Sequence, residues 1–228
     1  VILIGASHYA SFGGAAVSPD TAWRTPLGDV RINGPVSRSL VNEKAGVTAN
    51  RDVFAREHSL EVQLPFLQRT MKEVSIVPVL IGAPTRESFG HLAERLTELL
   101  RKDDRTIIVA STDLSHYHGY EAAMAKDRKV VDAISRMSVE DLESLLASGG
   151  GEACGGYPVL LTLLISRSLG ATHGVLYDQR NSGDVSGDRS RVVGYAALGL
   201  YRSPLSAAQR RELLTLARRT VTQYVQHR

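Results

Sequence analysis

The sequence predicts an α/β domain with a mainly parallel central sheet flanked by helices. Three observations predict it. Apolar runs rich in Val and Ile recur at residues 1–5, 74–82 and 106–110, and runs without polar alternation suit strands buried on both faces. Between them leucines fall at helical spacing, and strands alternating with helices build a parallel sheet covered on both sides. The chain has 228 residues, 43% hydrophobic and 22% charged, which suffices for one domain with a substantial core.

The first strand, 1–5, is followed after a long stretch by a helical pattern over 59–69. There Leu60, Leu64 and Leu67 share a face and Pro65 is expected to kink the helix. Strand 74–82 leads to a helix over 88–100 with Leu92, Leu96 and Leu99 on its stripe, and strand 106–110 comes next. Ser138 with Asp141 reads as a helix start, and Gly149-Gly150-Gly151 as its stop. A second apolar helix is expected over 157–169, then strands over 173–179 and 192–201, separated by a polar loop over 181–191. At Arg202-Ser203-Pro204 the composition shifts, which divides the chain into a domain over 1–203 and a segment over 204–228. Ser206 and Gln209 open a helix in that segment, with Leu214, Ala217, Val221 and Tyr224 on one stripe. One helix cannot bury its own stripe, so this one needs a partner surface.

Several function classes are disfavoured. The longest apolar stretches fall well short of the roughly 20 residues of a membrane span. The net charge of +3 is a tail effect: Arg202 to Arg228 hold six Arg against Glu212, a net +5 that leaves residues 1–201 at −2. A nucleic-acid surface needs a basic face on the main domain, and none is evident. Cys154 is the single cysteine, so no internal disulfide forms and the cytoplasm is the default compartment. Because Val1 already opens a strand, the natural start is expected upstream.

In open α/β sheets ligands sit beyond the carboxyl ends of the strands. The first strand runs into Ser7-His8-Tyr9, and strand 106–110 into Ser111-Thr112-Asp113-Leu114-Ser115-His116-Tyr117-His118. Two strand ends thus deliver imidazoles to one edge. Imidazole is a common ligand of zinc, iron and copper, and a carboxylate such as Asp113 can fix its tautomer. A capping Asp and a core histidine remain the plainer alternative, and His118 reads as a solvent-facing loop residue. Cys154 lies in a glycine-rich approach to an apolar helix, whose N-terminus favours thiolate; a small buried hydrophobe is the alternative. Glu57 and His58 join a polar loop to a helix, as acid, base or ligand, or as a carboxylate at a helix start. His91 and His173 are assigned to structure and His227 to the tail. No local His-Glu-x-x-His or Cys-x-x-Cys spacing is present, so the ligands must come from distant segments.

These blocks resemble the MEMO family. The resemblance is carried by Ile4-Gly5-Ala6-Ser7-His8, Arg24-Thr25-Pro26-Leu27-Gly28, Glu57-His58-Ser59-Leu60-Glu61 with Leu64-Pro65, and Pro78-Val79-Leu80-Ile81-Gly82. It continues through Ser111 to His116, Cys154-Gly155 and Gly194-Tyr195-Ala196-Ala197, covering residues 1 to about 201. The resemblance implies a class III extradiol dioxygenase-like fold and a redox-active metal, iron or copper, in a cleft. The family's ligand set of two histidines and a cysteine carries over to His8 and Cys154, with the first histidine expected upstream of Val1. Asp113 and His116 match positions beside the metal, and a cleft built around His8, His116 and Cys154 is expected.

The resemblance further implies protein B of the AmmeMemoRadiSam system, which acts with an AMMECR-type protein A and a radical SAM partner. The segment 204–228 resembles the opening of an AMMECR-type domain, as in a B–A fusion. The leading expectation is a metal-dependent oxidoreductase in which His8 and Cys154 ligate, His116 moves protons and Asp113 orients it, with Glu57 and His58 as further catalytic candidates. The alternatives are an extradiol-type dioxygenase, which the thiolate ligand disfavours, and a non-catalytic module that grips a small molecule or peptide. A thiol hydrolase with Cys154 as nucleophile is a further alternative.

Overall fold

The computed structural model describes residues 1–203 together with Arg211 and Thr215. The rest of the helix expected after Ser206 and the residue His227 lie outside the described residues. The strands in chain order are β1 (Ile2–Ala6), β2 (Ala15–Val17), β3 (Ala22–Thr25), β4 (Gly28–Ile32), β5 (Val47–Ala49), β6 (Ser75–Ile81), β7 (Ile108–Ala110), β8 (His116–His118), β9 (His173–Asn181) and β10 (Val192–Tyr201). The helices are α1 (Gly34–Leu40), α2 (Leu64–Thr70), α3 (Arg86–Lys102), α4 (Tyr120–Ser135), α5 (Val139–Ser148), α6 (Gly156–Ser168) and the single turn α7 (Gly183–Ser186).

The expected parallel sheet forms around β1, which pairs in parallel with β6 on one side and β7 on the other. Ile4 lies opposite both Val79 and Ala110, so these strands end at the same edge. The far side of β6 is divided: β4 runs parallel to its start, and β2 runs antiparallel to its end. Alternation of side chains along β1 and β6 sends Ile2, Ile4, Val77, Val79 and Ile81 to one face, against Leu40 of α1, Leu92 and Leu96 of α3, and Leu161 and Ile165 of α6. Leu3, Ile76 and Leu80 point the other way, onto Val30, Ile32, Leu60 and Leu64. Both faces of these strands are covered, as their uninterrupted apolar sequence requires.

The last two strands depart from the expected sheet. β9 and β10 pair antiparallel, and with β8 they form a separate three-stranded sheet. Ala196, Leu198 and Leu200 of β10 pack on α4, α5 and the second side of α6, through Val130, Ile134, Leu142 and Leu163. α6 therefore joins both cores, which explains why nearly every position from Pro158 to Ser166 is buried. Pro65 also behaves differently from expectation. It sits in the first turn of α2, where the N–H it lacks has no helical partner, so it starts the helix and kinks nothing. The expected start and stop of α5 hold: the Ser138 side chain accepts the Asp141 N–H, and Gly149 closes the helix in the left-handed conformation at φ 68°.

Gly5, near the end of β1, shows how tightly this edge is built. A Cβ there would stand 2.6 Å from both Leu60 Cδ2 and Ser59 Oγ. Gly5→Ala is therefore expected to lower unfolding free energy by about 1–3 kcal/mol through overpacking, read as a lower urea midpoint at unchanged m-value. An unaltered midpoint would show that the 57–60 segment can yield.

Candidate functional site

The C-terminal edge of the parallel sheet gathers the residues singled out in the sequence. Just past β1, the His8 backbone N–H donates to Glu57 Oε2 at 2.6 Å and its ring Nδ1 meets Glu57 Oε1 at 2.9 Å. The same Oε1 accepts the backbone N–H groups of His58, at 3.0 Å, and Ser59, at 2.8 Å. Ser59 Oγ in turn donates to the Ala6 carbonyl, fastening the turn to the strand end. The Glu57 side chain is only 2% exposed. Burial alone would raise its carboxyl, but the donors from His8 and Ser59 outweigh that and hold it at about 2.

An ionised Glu57 decides the tautomer of His8. A carboxylate only accepts, so Nδ1 carries the proton and the Nε2 lone pair of the neutral ring is left for a ligand. The His58 ring centroid lies 5.0 Å from that of His8, and its Nδ1 lies 3.5 Å from Glu57 Oε1. Among the described residues, His8, Glu57 and His58 are the one group of three whose donor atoms lie within 4.8 Å of one another. Glu57 has four hydrogen-bond contacts already, so its part in that group is to orient the imidazole.

The second strand end is organised around Cys154. Its sulfur accepts the Asp113 N–H at 3.1 Å, and its own N–H donates to the Asp113 carbonyl at 3.1 Å. Thr112 Oγ1 accepts the Gly155 N–H at 2.8 Å. A Cβ on Gly155 would lie 2.5 Å from the Ser111 carbonyl oxygen, so only glycine lets the start of α6 approach the loop after β7. His116 Nδ1 meets the Leu114 carbonyl at 2.9 Å. A carbonyl also only accepts, so His116 Nε2 is unprotonated in the neutral ring, and Asp113 Oδ2 lies 3.8 Å from it, outside hydrogen-bond reach. The orienting acceptor on His116 is thus the Leu114 carbonyl, where the sequence suggested Asp113.

Two acids absent from the sequence reading support this loop. Asp127, fully buried on α4, accepts the Ser115 N–H at 2.9 Å, and burial raises its carboxyl. Glu152 binds Lys126 Nζ at 2.6 Å and His118 Nε2 at 2.9 Å; the Lys126 bond, followed by that of His118, holds its carboxyl at about 2. His118 is accordingly half-buried and bonded in β8, which corrects the expectation of a solvent-facing loop residue. His91 is structural as expected, its Nε2 meeting the Leu40 carbonyl at 3.0 Å.

His116 and Cys154 line a cavity of about 620 Å³, walled by Leu114, Leu146, Tyr157 and Leu160, with Glu143 and Glu152 among its polar groups. His8, Glu57 and His58 are not in that lining, so the residues fall into two clusters, one on each of two adjacent strand ends. Among the described residues no helix is long and apolar enough to cross a membrane.

The model of the Memo-like protein family matches residues 1–199. The chain belongs to the Memo-like family. It is 36% identical over 200 residues to a MEMO1 family protein of Methanopyrus kandleri, covering 87% of this chain and 71% of that one. A MEMO1 family protein of Methanothermobacter thermautotrophicus is 34% identical over 199 residues, 87% of this chain and 72% of its own. One from Aquifex aeolicus is 36% identical over 201 residues, 87% and 74% respectively. The Memo-like region thus includes both strand ends, the Glu57 turn and the Cys154 loop.

The Glu57 environment gives a pH signature. Its folded carboxyl is depressed from 4.5 to about 2, so its contribution to stability is fully present above about pH 4.5 and is lost as pH falls through about 2. The stability difference between wild type and Glu57→Gln, from urea titrations, is expected to be constant from pH 5 to 7 and to shrink between pH 4.5 and 2. A difference independent of pH would mean that Glu57 is not ionised in the fold.

Proposed function

We propose that the C-terminal edge of the sheet holds a redox-active transition metal, iron or copper, and that the protein is a metal-dependent oxidoreductase on a class III extradiol dioxygenase-like fold. The observation that carries this reading is the His8–Glu57 pair, in which a buried carboxylate fixes one ring nitrogen and leaves the other for a metal. His8 is the anchoring ligand, with His58 from the same cluster as a further donor; the Cys154 sulfur belongs to the second cluster, and its joining the same metal requires the two strand ends to draw together on binding. Such a nitrogen and sulfur set suits copper or thiolate-bound iron better than magnesium or calcium. When bound, the metal supplies one-electron chemistry that the side chains lack.

The chain's own groups have separate tasks in this reading. Glu57 orients His8, and the Asp113 N–H stabilises negative charge on the Cys154 sulfur. His116, with Nε2 unprotonated, takes or returns a proton at the cavity wall, and Asp113 adds negative charge beside it. The apolar walls of the cavity exclude water from a bound small molecule. The protein works in the cytoplasm with an AMMECR-type domain, which 204–228 resembles in sequence, and with a radical SAM partner. The size of the cavity favours one second reading, a module that binds a small molecule or peptide without chemistry, in which metal would be dispensable.

Elemental analysis of anaerobically purified protein tests the proposal. Near-stoichiometric iron or copper is expected, lost in His8→Ala and in Cys154→Ala, with Glu57→Gln weakening metal affinity by about 10–100-fold. Metal content indifferent to all three substitutions would leave the binding module as the better account.

A further inference from the structure

Tyr117 has φ 62°, a left-handed backbone that a bulky L-residue adopts only under strain. Met137, the other non-glycine residue of positive φ among the described residues, follows the end of α4, where a left-handed residue closes a helix. Tyr117 has a different setting. In the pairing of β8 with β10, His118 faces Val192 and His116 faces Val193. Two steps on β8 thus oppose one on β10, and Tyr117 is the extra residue of a bulge. Glycine would fill this position without strain. The tyrosine is 65% exposed, so core packing does not offset the strain.

What the bulge achieves is presentation of a ring. Tyr117 meets the His116 ring edge-on, centroids 5.7 Å apart, and the Arg191 guanidinium stands 5.0 Å from the Tyr117 centroid. Arg191 has no carboxylate within ion-pair distance among the described residues. The arrangement recurs at the other strand end. Tyr9, which follows His8, is 56% exposed, lies edge-on to His58 at 5.6 Å and carries Arg56 at 5.2 Å over its ring. Arg56 likewise lacks a carboxylate partner among the described residues. Each histidine cluster is therefore accompanied by an exposed tyrosine and an arginine whose charge no acid among the described residues neutralises.

We infer that Tyr117 and Arg191 form a recognition subsite for an organic carboxylate with a flat body. The tyrosine ring offers a face for the body, and the guanidinium offers the planar fork that fits a carboxylate. Tyr9 and Arg56 repeat the device beside His8. The inference rests on the proposal that the substrate sits at this sheet edge, but it does not depend on metal.

Titration of the full chain, stripped of metal with a chelator, tests it, using sodium benzoate and neutral benzamide as probes and amide chemical shifts as the readout. Benzoate is expected to bind the wild type, with benzamide weaker by about tenfold or more and with Arg191→Ala and Tyr117→Ala each weakening benzoate by about tenfold. Tyr117→Gly is expected to weaken benzoate to the same extent while melting at the same or a higher temperature. A lower Tm would mean that Tyr117 serves packing, and the inference would fail. It would fail equally if benzoate did not bind, if benzamide or inorganic phosphate bound as tightly, or if the variants bound as the wild type does. Because these titrations use metal-free protein, their failure is separable from failure of the metal reading.

Discussion

A carboxylate buried without Lys or Arg must be surrounded by N–H donors, and Glu57 draws its donors from two segments of the chain. His8 comes from the end of β1, while His58 and Ser59 come from the turn that leads into α2. Each of these bonds to a charged acceptor contributes roughly 1.5–3 kcal/mol, and removing the acceptor would leave buried N–H groups unmet. The position of the 57–60 turn, the packing of Leu60 under Gly5 and the tautomer of His8 are therefore consequences of one buried charge. Nothing of comparable strength fixes His58, whose side chain is half exposed.

The opposite strand end is fixed by close approach, not by charge. Gly155 brings the first turn of α6 onto the backbone of Ser111 and Thr112, and the Cys154 sulfur receives the Asp113 N–H as a result. Asp127 holds the same loop from behind through Ser115 N–H, and Gly194 makes room for its carboxylate. The glycines flanking Cys154 are thus geometric requirements of a sulfur positioned between a helix start and a strand end. Gln63 Nε2, donating to Ser111 Oγ at 3.0 Å, ties this loop back to the segment that carries Glu57.

How much of this was legible in the sequence follows from the kind of signal each element leaves. β1 and β6 are buried on both faces and β7 is partly buried, so their apolar runs announce them, and α3, α5 and α6 carry leucine stripes or capping residues. α4 was not predicted because its buried side is made of Ala123, Asp127, Val130, Val131, Ala133 and Ile134, a mixture in which small and charged residues blur the stripe. β2, β3, β4 and β5 are three to five residues long, too short for a period to show. At the site, His8, Asp113, His116 and Cys154 stood out because they follow strands or precede a helix. That Glu57 would be the buried anchor and His58 its exposed neighbour was not legible. Adjacent residues at a turn carry no sequence sign of which one turns inward, and the decision is made by N–H groups 49 residues away.

The two histidines end in different electronic settings, and the difference bears on their roles. Both have Nδ1 engaged and Nε2 available, but His8 is backed by an ionised carboxylate and His116 by a neutral backbone carbonyl. A carboxylate behind an imidazole makes the far nitrogen a stronger donor to a metal and holds the ring more rigidly, which in the proposed reading suits His8 to lasting ligation. A carbonyl fixes the tautomer while adding little electron density, and His116 also faces a cavity with apolar walls where a small molecule can reach it. In the proposed reading that combination suits the proton-carrying role. In the proposed reading the same fold edge thus presents a fixed ligand and a proton carrier of the same residue type, distinguished by what stands behind each ring.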